Sequence, residues 1–298
     1  MKEYKLAIVI PFYKIDFFEG TLASLASQTN QNFNVYIGND ASPDSPERLI
    51  EKYNKNNNFY YKRFEDNLGG IGKLSEQWER CIDLSEQNEE WIMILADDDY
   101  ISPNFVEVFY ANLKLAELNN ALLLRFKMRR VSEENNFLVD LEQPMLHCAV
   151  DYVWDDETHK RFISISENVF TRKLYQEKKF RKYPLAWRVP MMMYLDFTNV
   201  GMVLGINEAF VAIRRSNQQL SWRKDVDEFK KQSMELFYYD VINEYSHAFQ
   251  KFQNLKFLKV YTFYKTNKLN FKKPLFLLYK EYGGLIEVFK YFIKNLKK

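Results

Sequence analysis

Three consecutive aspartates, Asp97, Asp98 and Asp99, follow the apolar run WIMILA that begins at Trp91. Adjacent carboxylates repel one another, and removing any of them from water is costly. A divalent cation resolves the repulsion, because hard oxygen ligands suit Mg2+ or Mn2+. Magnesium takes one or two protein carboxylates and completes its shell with water and substrate phosphate. Three aspartates at a strand end therefore suggest a metal–diphosphate site. Taken alone, the stretch is equally well read as a solvated acidic turn leading to a helix cap at Ser102 and Pro103.

The elements around the triplet decide where it sits. KLAIVIPF, FNVYIGND, FYYKRFED, WIMIL and ALLLRFKM read as five strands in the first 128 residues. Between them lie helical patterns: Phe18, Leu22, Leu25 and Ala26; a short helix opened by Ser45-Pro46 and running to about Tyr53; Ile71, Leu74, Trp78, Cys81 and Ile82; and Val106, Phe109 and Leu113 after Ser102-Pro103. Strand–helix alternation predicts a mainly parallel α/β sheet flanked by helices, which binds ligands at the carboxyl ends of its strands. Pro11 to Lys14, Asn39 and Asp40, Asp66 to Gly72, and Asp97 to Asp99 each follow a strand, so these loops should meet at one sheet edge. Residues 131–162 read as irregular. AWRVPMMMYLDFTNVG reads as a loop entering a helix, and GINEAFVAIRRS as a further strand.

AIVIPFYK, YIGNDASPDS, EDNLGGIGK and ILADDDYISP stand in the order and near the spacing of a known family, and ENVFTRK and GINEAFVAIRRSNQQLS extend the likeness. Residues 5–221 resemble the family 2 glycosyltransferases of bacterial polysaccharide synthesis, whose nucleotide-sugar-binding domain has the GT-A fold. The resemblance implies that Pro11 and Tyr13 line the nucleotide pocket and that Asp40 contacts the base, usually uracil. Asn39 replaces the more usual first aspartate of that pair. It implies further that Asn67, Gly69, Gly70 and Lys73 lie near ribose and phosphate, that Asp97 and Asp98 contact ribose or sugar, and that Asp99 is the direct metal ligand. Where relatives carry an acidic general base, this chain has Val189, Pro190 and Met191. Asp196 is the nearest acid and the candidate substitute base. The implied activity is Mg2+- or Mn2+-dependent, inverting transfer of a sugar of the hexose type from a UDP-sugar to a glycan or lipid-linked acceptor. The alternative is a glycosyltransferase-like binding protein that lacks its base.

Other chemistries fit less well. NLGGIGKLS fails the P-loop pattern at Asn67 and at Leu74. The three histidines form no zinc pattern, and Cys81 and Cys148 match no metal or redox spacing, which suits a reducing cytoplasm. No window approaches 18 consecutive apolar residues. We divide the chain into a GT-A domain at residues 1–215 and a helical extension at residues 216–298. The charge is uneven: residues 251–298 hold twelve Lys, no Arg and two Glu, a net of +10, against −8 for residues 1–250. Twelve aromatics interleave with those lysines, and Leu285, Val288, Phe289, Phe292 and Ile293 share a helical face. Lysine without arginine disfavours base readout, so no nucleic acid is expected. The expected partner is an anionic membrane surface, with the protein cytoplasmic and peripheral on the inner face of the cell membrane.

Overall fold

Strand β1 (Leu6–Phe12) is buried on both faces, and its alternating side chains feed two separate cores. Leu6, Ile8, Ile10 and Phe12 enter one, while Ala7 and Val9 enter the other. That placement makes β1 a central strand, with helices required on both sides. In a computed structural model describing residues 5–85, 88–215, 224–265, 269, 271 and 273–296, the helices are there. The first core is closed by α1 (Phe18–Ala26), by Ile50 of α2 (Glu47–Tyr53) and by α4 (Phe105–Leu118). The second is closed by α3 (Leu74–Ile82), α5 (Ala149–Glu157), α6 (Arg172–Lys178) and α7 (Val189–Thr198), and then by α8 (Asp227–Tyr245) and α9 (Lys251–Tyr264). The helices beyond residue 216 therefore share a core with the sheet.

β1 is flanked by β2 (Asn34–Asn39) and β4 (Trp91–Ile94), and β3 (Phe59–Arg63) lies outside β2, all four parallel. Beyond β4 the sheet is mixed. β9 (Asn168–Thr171) runs antiparallel between β4 and β6 (Leu123–Val131), and β6 pairs in parallel with β10 (Met202–Arg214). Three short antiparallel strands complete it: β5 (Tyr100–Ile101), β7 (Phe137–Leu141) and β8 (Leu146–Cys148). Only the half that carries the acidic loops is uniformly parallel. The segment at 131–162, expected to be irregular, forms β7, β8 and α5. Their hydrophobic runs are short, and β7 is largely exposed, so neither shows a strong period. Ser102 is no helix cap: its hydroxyl accepts from the Phe210 N–H, and α4 begins after Asn104. Ser45 is likewise displaced, because Pro46 occupies the cap position of α2 and no side chain caps it.

At the end of β2, Gly38 lies so close to Cys81 of α3 that a Cβ there would meet its Sγ at 2.2 Å. Only glycine lets α3 approach the strand, and α3 carries the loop preceding it toward the sheet edge. The last helix, α10 (Leu275–Leu296), is broken at Gly284, where φ is 74° and ψ is −173°. The rings of Phe276 and Phe292 lie 6.5 Å apart, although a straight helix would separate these residues by about 24 Å. Tyr279 and Tyr291 stack at 4.8 Å. The element is a helical hairpin turning at Gly284. That backbone region is essentially restricted to glycine, so Gly284→Ala should weaken the hairpin by roughly 1–3 kcal/mol. Hydrogen exchange should register the change as faster exchange across residues 275–296 with the β1 amides unaltered.

Candidate functional site

The parallel register aligns Phe12 with Asn39 and Val9 with Ile94, so β1, β2 and β4 end at one edge. The loops that follow are fastened by carboxylates. Asp97 Oδ2 accepts the backbone N–H groups of Tyr13 (2.7 Å) and Lys14 (2.8 Å), tying the β1 loop to the β4 loop. Asp44 accepts from the Ile15 N–H at 3.2 Å, and the Ser42 hydroxyl donates to the Tyr13 carbonyl, which ties in the β2 loop. Asp40 Oδ1 accepts from the Leu68 N–H and Oδ2 from the Gly69 N–H, each at 2.8 Å. Within that last loop, Asn67 accepts from the Gly70 N–H, and Gly72 accepts from the Leu185 N–H at 2.7 Å. Lys73 is exposed, 3.9 Å from Glu76. Pro11, Tyr13, Asp40, Asn67, Gly70, Lys73, Asp97, Asp98 and Asp99 thus belong to one connected set of loops.

Their carboxylates are strained electrostatically. Asp97 is pushed up to about 7 by burial and then by its neighbour Asp98, against the pull of the two amides. Burial also raises Asp98, with Arg214 and Lys14 opposing the shift. Asp99 is raised well above the usual carboxylate range, by burial and then by Asp98. Asp99 is only 3% exposed, and both its oxygens are engaged: Oδ2 accepts from Ser166 Oγ at 2.6 Å and Oδ1 from the Arg214 N–H at 3.1 Å. Asp98 is half-buried and more open to solvent. Asp99 is therefore the inward anchor of the triplet, Asp97 clamps two loop amides through Oδ2, and Asp97 and Asp98 share its half-buried side. A Mg2+ ion would fit one such carboxylate together with substrate phosphates and water. Among the described residues, no three His, Cys, Asp or Glu side chains are grouped to hold a metal by themselves.

Asp40 is also engaged beyond its two amides. Arg80 Nη2 donates to its Oδ1 at 2.6 Å, and the guanidinium lies 4.0 Å from the centre of the Phe64 ring. Burial pushes the Asp40 carboxyl up, with the Leu68 and Gly69 amides and Arg80 pulling back. Asn39, in the place of an expected acid, donates to Tyr61 and accepts from the Ser42 N–H. Tyr13, 39% exposed, is the open aromatic member of the set. Arg80, Ser166 and Arg214 were not picked out from sequence. A buried acid demands a cation, but several lysines and arginines follow β2, and nothing local distinguishes Arg80 among them.

Asp196 does not join this set. Helix α7 is apolar almost all round and packed on every side, so its one acid needs partners. Arg181 grips Asp196 in a fork, Nε to Oδ2 and Nη2 to Oδ1, both at 2.8 Å, and the Tyr245 hydroxyl donates to Oδ1. Arg181 reaches on to Glu244 at 2.8 Å, joining α7 to α8. Held this way, Asp196 anchors α7 to Arg181 and to Tyr245 of α8. The segment before α7 carries three non-glycine residues at positive φ: Leu185 (59°), Ala186 (51°) and Arg188 (69°). Arg188 pairs with Asp156 at 2.7 Å. This strained stretch meets the loop before α3 through the Leu185–Gly72 hydrogen bond.

The family model described as Glycosyl transferase family 2 matches residues 7–183. The chain is 30% identical over 101 residues to the poly(ribitol-phosphate) beta-N-acetylglucosaminyltransferase TarS of Staphylococcus aureus, covering 33% of this chain and 17% of that one. It is 24% identical over 271 residues to a teichoic acid poly(glycerol phosphate) polymerase of Staphylococcus epidermidis, covering 85% and 34%. The chain spans between about a sixth and a third of the length of these curated relatives. A crystal structure of S. aureus TarS 1–349 with UDP-GlcNAc superposes with a TM-score of 0.66 at 17% identity, over 93% of this chain and 80% of that one. A mannosyltransferase from Pyrobaculum calidifontis with GDP-Man and Mn2+ gives 0.55 at 11% identity, over 98% and 87%. These likenesses establish a GT-A-like α/β fold.

Asp196→Asn would break one arm of a nearly buried fork, while Arg181 keeps its pairs with Glu244 and Asp240. We expect a loss of about 1–3 kcal/mol in urea unfolding.

Proposed function

The chain belongs to glycosyl transferase family 2, and from that premise we propose that it transfers a sugar from a nucleoside diphosphate donor, a UDP-sugar, to a glycan or lipid-linked acceptor. The setting we propose is bacterial surface polysaccharide synthesis at the cytoplasmic face of the membrane. The observation that carries this reading is the meeting of the β1, β2 and β4 loops, with their acidic triplet, at one edge of the parallel half-sheet. The ligand named with TarS supports uridine, and the names of the two staphylococcal relatives support a cell-surface polymer. The Mn2+ named with the mannosyltransferase supports a divalent cation.

The geometry supports the following residue roles. The exposed ring of Tyr13 offers a stacking face for the base. Asp40 holds the loop at Leu68–Gly69 in place and, with Arg80, forms the polar floor beneath it. Asp98 would hold the cation, with Asp99 fixing the strand end behind it. When bound, that cation would neutralise charge developing on the leaving diphosphate. Lys14 supplies further positive charge beside the triplet, and Lys73 stands exposed after the loop that Asp40 fastens.

The acceptor side is less complete. Val189, Pro190 and Met191 provide no carboxylate, and Asp196 is occupied. Inverting transfer would then lack a general base from α7, whose assistance is typically worth about 10²–10⁴-fold. The same observation favours a second reading, a donor-binding relative without transferase activity.

Calorimetry of UDP with and without Mn2+ tests the donor side. Wild type should bind more tightly with the metal, and Asp98→Ala should lose roughly tenfold or more of that gain, about 1.4 kcal/mol. Unchanged metal dependence in Asp98→Ala would remove the cation from this site. Transfer assays across a panel of nucleotide sugars separate the two readings. Slow transfer by wild type that rises in Met191→Asp supports the enzyme without its base. No transfer by wild type with any donor, but transfer by Met191→Asp, supports the binding-only relative.

A further inference from the structure

The hairpin α10 shows two unlike sides. One packs on the protein: Leu278 and Tyr279 are buried, Val288 and Tyr291 are partly buried against the second core, and Glu287 bonds Lys259 of α9 at 2.8 Å. The other side exposes Leu285 (72%), Ile286 (71%), Phe289 (68%), Phe292 (49%) and Ile293 (39%). Positions 285, 286, 289, 292 and 293 form one continuous helical face. Phe276, 42% exposed, extends it across the turn by its contact with Phe292. The face expected from sequence is thus redrawn: Val288 turns inward and Ile286 takes its place. On α9, Phe252 and Phe263 are exposed on one stripe, with Lys256 and Lys259 between them. Because Lys259 bonds Glu287, that stripe borders the hairpin.

Soluble proteins seldom leave so many large apolar side chains contiguous and uncovered. We propose that this face of α10, with its flanking lysines, docks onto an anionic lipid bilayer. Charge selects that occupant. Residues 251–298 carry a net of +10 beside a body of −8, and both of the segment's glutamates are already paired, Glu287 with Lys259 and Lys290, and Glu281 with Lys273. A second copy of the chain would bring the same lysines against themselves, and like charge opposes that pairing. An anionic bilayer accepts both the apolar face and the lysines, while the acidic body is repelled from it, which fixes the orientation. No helix among the described residues is long and apolar enough to cross a membrane, so docking is interfacial.

The test is co-sedimentation of the full chain with phosphatidylcholine vesicles, with and without phosphatidylglycerol, in the absence of any nucleotide. We expect pelleting on the phosphatidylglycerol vesicles that weakens as salt is raised, and little on phosphatidylcholine alone. Ile286→Glu combined with Phe289→Glu should cut the bound fraction by about tenfold or more. Lys280→Gln with Lys290→Gln should weaken binding to the anionic vesicles selectively. All four positions are exposed, so circular dichroism and the unfolding midpoint should match wild type. Three results would overturn the proposal: no pelleting, equal pelleting on both vesicles, or a lipid-free dimer in light scattering that the Ile286→Glu, Phe289→Glu variant abolishes. None depends on donor binding, so the docking face and the transferase reading fail separately.

Discussion

The hydrogen bonds from Tyr13 and Lys14 to Asp97 are the contacts on which the rest of the site depends. A carboxylate between two backbone amides is a strong, directional clamp, and this one closes two loops that emerge from adjacent strands. Asp40 repeats the device one strand further out, with Leu68 and Gly69. Asp99 does so on the other side, with Ser166 and Arg214. A set of buried acids is thereby turned into a framework. The framework holds these loops to one another through protein contacts alone. The same geometry gives the carboxyls expected to touch ligands partners within the protein as well.

How much of this could be read from residues alone depended on whether the signal was local. The parallel half-sheet was legible, since KLAIVIPF and FNVYIGND are buried strands with strong β character and helical periods follow them. The convergence of the loops followed from topology. The short antiparallel strands escaped notice, because β8 and β9 have three and four residues and carry no clear period. The roles within the triplet were not legible either. Which of three adjacent carboxylates turns inward is fixed by Ser166 and Arg214, residues 67 and 115 positions away. Asp196 was singled out by proximity in sequence alone, and its partners Arg181 and Tyr245 lie 15 and 49 residues distant.

Helix α7 joins the two ends of the chain. Its apolar surface fills the space between the sheet and α8, and the Arg181 fork makes that junction specific in a way apolar packing is not. The division near residue 216 therefore marks a change in composition and element type, while the core runs through it. The cluster of left-handed residues just before α7 sits where the helix entry must meet Gly72. A segment adapted to that packing leaves little room for a freely placed acid.

The antiparallel strand β9 carries a consequence for how the chain reaches its fold. It is the sole bridge, among the described residues, between the β1–β4 half-sheet and the half built on β6 and β10. Its partners Trp91 and Leu123 lie 80 and 47 residues upstream of the residues they face, Thr171 and Phe170. A chain emerging from the ribosome can assemble β1, β2, β3 and β4, yet β4 must keep an unpaired edge until residue 171 is out. That exposed edge belongs to WIMIL, one of the most apolar runs in the molecule. Such long-range closure slows folding and leaves a sticky edge open meanwhile. The nascent protein is therefore most exposed to aggregation, and most in need of a chaperone, during synthesis of the stretch between β4 and β9.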